Sequence, residues 1–283
     1  MALDTLPILV VIGGGGIGLA TALRLGAAHH VLLASRSQST LTAGAEALKK
    51  AGHKFTTQQV DITSYPSVAA VAKTVASLGG AIDTVVLTSG ISPSMGSLEQ
   101  ILKVDVLGTA NVIAAFSDEI DMPRGSNLIC VGSAAGRMCP PLGDELEKHL
   151  ATAPLGDLLE NKQLWDAAAD FVGMAYCVAK RANVLRVEAA ASMGVLAARG
   201  VRVNCVSPGA IETNMLRVEM AAEWGDGVKA MIELTPLKRA GNAEEVAEAV
   251  EFVARCGYVN GTDVLIDGGS TAVTRWVGPI GGK

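Results

Sequence analysis

The chain has 283 residues, of which 49% are hydrophobic and only 4% aromatic, and it carries a net charge of −5. A core of Ala, Val, Leu and Ile suits parallel strands buried on both faces, within a single large α/β domain. The acidic balance, without a basic tract, excludes nucleic acid as an expected partner, and no apolar run is long enough to span a membrane.

The apolar start at 6–12 has no basic stretch before it and runs straight into glycines, so it reads as a first strand and not as a signal peptide. Further strand patterns lie at 30–34, 55–60, 84–88, 127–131, 201–206 and 264–266. Helical patterns alternate with them at 17–26, 40–50, 66–78, 104–115, 173–193 and 243–254. This alternation predicts a doubly wound, Rossmann-like parallel sheet with right-handed crossovers. The five cysteines (Cys130, Cys139, Cys177, Cys205, Cys256) are scattered and form no CxxC pair. They argue against a disulfide framework or zinc site and fit a reducing, cytoplasmic setting.

One stretch, 136–171, is unusually long for a connection. Leu142, Leu146 and Leu150 recur at i+4 and predict a short amphipathic helix, with Asp144, Glu145 and Glu147 toward water. A second helix is expected within 157–165. The stretch leaves just after Ser133 and returns just before Tyr176, so a helical lid over the substrate is expected. The alternative is an insertion packed on a distant surface or a partner subunit.

Four motifs carry chemistry. Gly13-Gly14-Gly15-Gly16-Ile17-Gly18 joins the first strand to the first helix. Glycines there let backbone N–H groups approach a pyrophosphate, and the helix N-terminus favours its charge. At the end of the second strand, Leu33-Ala34-Ser35-Arg36-Ser37 has no acid to grip a ribose 2′-hydroxyl. Ser35 and Arg36 suit a 2′-phosphate, which points to NADP(H); Arg36 as a solvated loop residue is the plainer reading. Val131-Gly132-Ser133 ends a strand, where doubly wound sheets bind ligands, and places Ser133 to meet a substrate oxygen. Tyr176 and Lys180, at i and i+4, share a helix face. An adjacent ammonium favours phenolate, so Tyr176 is expected to titrate closer to neutrality and to act as general acid or base. Alone, that spacing is weak.

Together these motifs make the chain similar to the short-chain dehydrogenase/reductase family over about residues 6–272. Asp61-Ile62, Thr88-Ser89-Gly90, Pro208-Gly209-Ala210-Ile211-Glu212-Thr213, Arg239-Ala240-Gly241 and Asp267-Gly268-Gly269 add to the likeness. The resemblance implies that Tyr176 is the acid/base, Ser133 the carbonyl-orienting group, and Lys180 both a ribose ligand and the tuner of Tyr176. It implies cofactor contacts from Gly13, Gly15, Gly16, Ile17, Ser35, Arg36, Asp61, Ile62, Ser89, Gly90, Tyr176, Lys180, Pro208, Ile211 and Thr213. It also implies a homodimer or homotetramer, formed through the helices at 104–115 and 173–193.

Four departures stand out. The glycine loop is one residue short, Thr88 replaces a usual Asn, and Asp105 stands where an Asn commonly completes a catalytic tetrad. The Ser133–Tyr176 spacing is also long. By resemblance, the main chain at Asp105 holds a water that links Lys180 to solvent. The expected activity is NADP(H)-dependent interconversion of a carbonyl and an alcohol on a small, largely apolar substrate. Met95, Met138, Trp165 and Met174 are candidates for its pocket. Non-redox chemistry in the same pocket and a non-catalytic NADP(H)-binding sensor are the alternatives.

Overall fold

The structure, a computed structural model, describes residues 6–278. Its strands β1 (Ile8–Ile12), β2 (His30–Ser35), β3 (Lys54–Gln59), β4 (Ile82–Leu87), β5 (Asn127–Val131), β6 (Arg202–Pro208) and β7 (Asp263–Ile266) form one sheet. The order is β3-β2-β1-β4-β5-β6-β7, and every pairing is parallel. Order reverses between β1 and β4, which opens a crevice beyond their carboxyl ends, where ligands of such sheets bind.

Side-chain alternation sets the two faces of the sheet. Ile8, Val10 and Ile12 of β1 enter one core with Val68, Phe116 and Val187. Leu9 and Val11 enter the other with Ala22, Leu41 and Val246. Both faces are buried under helices, which is why the central strands are nearly continuous aliphatic runs. β3, at the edge, carries Lys, Thr and Gln and stays partly exposed.

The helices start where their caps allow. Ser37 accepts from the Thr40 N–H at the head of Gln38–Lys50. Asn242 and Glu245 form a capping box for Ala243–Arg255. The helix expected at 104–115 is longer and irregular: a π segment, Leu102–Leu107, leads into Gly108–Asp118. Hydrophobic periodicity alone does not reveal such a bulge. Helices at Asn214–Ala221, Gly225–Leu234 and Ser270–Val277 join these, each burying one residue.

The stretch 136–171 does form helices, Asp144–Thr152 and Lys162–Ala168. Neither lines the nucleotide cleft. Leu146, Leu150, Leu158 and Leu164 are buried in a cluster with Leu102, Val106, Val178, Ala182 and Leu185. The insertion is thus seated on the flank of the π segment and the long helix Val172–Ser192. Arg186 fixes it by donating to the carbonyls of Leu150 (3.0 Å) and Ala153 (2.9 Å), near the end of the first inserted helix. Arg181 pairs with Glu147 at 3.0 Å. An apolar stripe seeks an apolar face, and the face on offer lies beside the helix, not above the cleft. Trp165 and Met174 pack at this flank as well.

Candidate active site

Beyond β1 and β4 lies a cavity of about 330 Å³. Gly13, Gly15, Gly16, Ile17, Ser35, Arg36, Asp61, Ile62, Ser89, Gly90 and Thr213, all singled out in the sequence, line it. So do Met95, expected in the substrate pocket, and Ser37, from the same strand-end motif as Arg36; Thr40, Thr63, Asn214 and Met215 join them with no motif to announce them. Gly13 has φ +118°, and a side chain there would run into Thr88 Oγ1 and the Ser89 backbone. Gly15 faces open space. The loop is therefore a bare backbone cradle at the head of the helix Gly16–Leu25, of the shape a pyrophosphate needs. Thr88 braces it, donating from Oγ1 to the Gly13 carbonyl at 2.9 Å. The residue that departs from the usual pattern ties β4 to the glycine loop.

At one end of the cavity the Arg36 side chain is exposed, and the hydroxyls of Ser37 and Ser39 lie 2.7 Å apart beside it. The helix Gln38–Lys50 begins here, so its N-terminus adds donors for an anion. Asp61 is the acid lining the cavity. Its Oδ1 is taken by the Thr63 N–H and hydroxyl, at 2.9 and 2.8 Å. These groups fit a dinucleotide.

At the other end the cavity reaches Gly90 and Ile91, which border the buried Asp105 and Lys180; Tyr176, beside Lys180, is half-buried, and neither it, Lys180 nor Ser133 lines the cavity itself. Lys180 Nζ lies 5.2 Å from the centre of the Tyr176 ring. The Ser133 hydroxyl adjoins Tyr176 and favours its ionised form. The Ala134 N–H donates to Pro208 O at 2.8 Å, which pins the ends of β5 and β6 behind this corner. Pro208 and Ile211 form its backing wall and do not face the cavity. Ile211 bridges to Gly241, and Arg239 holds Glu245 below.

Burial changes the expected titration of Tyr176. Removal of solvent outweighs the pull of Lys180 and leaves the phenol above its ordinary value, not below it. Burial also acts to lower Lys180, but Asp105 and Tyr176 outweigh it and hold the ammonium above its usual value. The Asp105 carboxyl is raised by burial, against Lys180 and the Ile91 N–H.

Two features of the site had no sequence signal. Asn183, one turn beyond Lys180, is buried and its amide reaches the Asp105 carbonyl at 2.6 Å. A polar residue in the buried stripe of a helix was the one available hint. Glu219, on Asn214–Ala221, accepts from the Ser94 N–H at 2.9 Å and from Trp224 Nε1 at 3.0 Å. It ties the segment after Thr213 across to the loop beside Met95, and its charge reaches Tyr176. No local pattern joins residues so far apart.

Comparison with known proteins places this architecture. The family model described as short chain dehydrogenase matches residues 7–143, and that described as Enoyl-(Acyl carrier protein) reductase matches 166–271. The chain is 36% identical over 267 residues to the short-chain dehydrogenase/reductase bsc3 of Alternaria brassicicola, covering 93% of this chain and 95% of that one. It is 30% identical to the cis-4-hydroxycyclohexanecarboxylate dehydrogenase of Sinomonas cyclohexanicum, covering 94% and 97%. Among solved structures, the fold is similar to the 3-alpha-hydroxysteroid dehydrogenase from Pseudomonas sp. B-0831 complexed with NADH, at TM-score 0.76 and 22% identity, covering 95% and 98%. It is also similar to a short chain dehydrogenase from Burkholderia cenocepacia J2315 in complex with NADP, at TM-score 0.72 and 23% identity, covering 93% and 97%. The glycine cradle, the tyrosine–lysine pair and these matches agree: the chain belongs to the short-chain dehydrogenase/reductase family, and is an oxidoreductase fold built around a nicotinamide-nucleotide site.

Proposed function

We propose that this protein interconverts a carbonyl and an alcohol on a small, largely apolar substrate, with NADP(H) as the redox partner and Tyr176 as acid/base. The observation that carries the reading is the half-buried Tyr176 beside the buried Lys180, with Ser133 adjoining it, behind Gly90 of the nucleotide cleft. Such a phenol, kept protonated at neutral pH by burial, is suited to give a proton to a carbonyl oxygen. The Ser133 hydroxyl orients that oxygen, and Lys180 fixes the phenol and a ribose. The cofactor, when bound, supplies or accepts the hydride. The glycine loop and Ser89–Gly90 hold its backbone, and Thr213, backed by Pro208 and Ile211, holds its nicotinamide end. Preference for the 2′-phosphate rests on the exposed Arg36, the neighbouring hydroxyls and the lack of a free acid at the end of β2. The exposed Met95 gives the substrate an apolar, adaptable contact.

Turnover of NADPH with a panel of ketones tests the activity. Tyr176→Phe should lower kcat by roughly 10²–10⁴-fold while leaving the cofactor Kd nearly unchanged. Retained turnover in that variant removes Tyr176 from the chemistry. Titration with NADPH and NADH tests the cofactor. Arg36→Ala should cost roughly ten- to a hundredfold in NADPH affinity and little for NADH; equal losses for both would overturn the preference.

A further inference from the structure

Asp105 sits in the π segment with its side chain fully buried. Its carboxylate Oδ2 faces Lys180 Nζ at 3.5 Å and meets no other donor, while Oδ1 accepts from the Ile91 N–H at 3.0 Å. The approach is possible because residue 90 is glycine. A Cβ there would lie 2.9 Å from Asp105 Oδ1 and 3.1 Å from Lys180 Nζ. The main-chain carbonyl of Asp105 is already committed. It accepts from Thr109 Oγ1 at 2.8 Å and from the Asn183 amide at 2.6 Å. Both acceptor positions of that oxygen are filled. With those donors on the carbonyl, the side chain is the part of Asp105 that faces Lys180.

We infer that the Asp105 carboxylate is the buried counter-ion of Lys180 and a positioning residue of the site: it holds the ammonium in place beside the Tyr176 ring. An uncharged amide at this position would make the same contact with the Ile91 N–H but would supply no charge. The other ionisable groups around the pair are few. Cys130 on β5 and Cys205 on β6 lie beneath Lys180, and Glu219 acts on Tyr176 from the segment after Thr213. Burial holds both thiols protonated, Cys130 at about 12, so neither competes for the role. The consequence is directional. A phenol held protonated is ready to donate, which favours reduction of a carbonyl at neutral pH. This inference rests on the proposed role of Tyr176, but its test does not need turnover.

The phenolate absorbance of Tyr176 can be isolated from the three tyrosines by subtracting the titration of Tyr176→Phe. In Asp105→Asn the Tyr176 midpoint should fall by about one pH unit or more, because a neighbouring negative charge has gone. Asp105→Glu, which keeps the charge, should retain most of the wild-type midpoint. The pH profile of ketone reduction should lose its alkaline side by the same shift. A midpoint unchanged in Asp105→Asn overturns the inference, since a merely structural Asp105 would not move it. Lys180→Met gives a second measure. It leaves a lone buried carboxylate and should lower Tm, and adding Asp105→Asn should recover much of that loss. No recovery also overturns the pairing. Turnover retained in Tyr176→Phe would instead sink the functional reading and leave the titration result intact.

Discussion

Two segments adjoin the site and differ in how they are held. The insertion at 136–171 buries leucines against the long helix and ends on carbonyls bound by a half-buried arginine. The segment at 214–234 buries only Leu216 and Gly225 within its two helices, and leaves Trp224 and Leu234 exposed. Its tie to the opposite side of the cleft is a carboxylate, Glu219, which accepts from the Ser94 N–H there and from the Trp224 indole of its own segment. Apolar burial holds the first segment, and a few polar bonds hold the second. The insertion, read in the sequence as a lid, packs its leucines on the flank of the long helix, while Asn214 and Met215 of the second segment line the cleft.

The sharpest way to break this comparison is to cut into the insertion. Leu150 and Leu164 have no exposed surface. Leu150→Ala or Leu164→Ala should cost about 2–5 kcal/mol of folding stability, through lost transfer energy and the cavity left behind. Chemical denaturation measures it. KM for a ketone should stay near wild type, because neither residue lines the cleft. A large change in KM with little loss of stability would return the insertion to the role of a lid.

The sheet and the nucleotide cradle were legible because they are local. Strand, glycine turn and helix follow one another within the first 25 residues, and each has its own pattern. Ser35, Arg36 and Asp61 were legible for the same reason: in a parallel sheet, residues at strand ends share one edge. The destination of the insertion was not legible. Leu146 and Leu150 declare an apolar face but not which surface will receive it. Asp105 is visible in the sequence as a departure, but which of its groups faces Lys180 is not. Whether the side chain or the carbonyl faces Lys180 depends on the π segment, and on Thr109 and Asn183 filling the carbonyl. Tyr176 shows a third limit. Sequence supplies the neighbouring charge but not the degree of burial that opposes it.

A smaller effect is expected at the second segment. Glu219→Gln keeps the shape but weakens the bonds from Ser94 and Trp224. KM should rise roughly two- to tenfold, the scale of a net hydrogen bond or two, while denaturation midpoints barely move. That pattern is the inverse of the one expected for Leu150→Ala, and the pair of variants separates the two segments. If Glu219→Gln destabilised the fold as much as the leucine variants, the two segments would not differ in kind.

The smallest and most specific expectation concerns pH. Burial of Glu219 acts to raise its carboxyl, but donors at Ser92, Ser94 and Trp224 outweigh it, and the net position lies below the usual glutamate value. A carboxyl lowered by its partners strengthens those contacts above its ordinary value, near 4.5, and loses that contribution as pH falls through the lower value. The contacts are therefore at full strength at neutral pH and weaken only in acid. Because the group is partly exposed, solvent screens the effect, and a modest rise in KM below about pH 4.5 is expected while the chain stays folded. Glu219→Gln has no proton to gain and should show a flat KM across the same range. KM measured from neutral pH down to the acid limit of folding, in both proteins, is the check. A wild-type KM that stays flat, or a variant that rises in parallel, would mean that the segment is held by something other than this carboxylate.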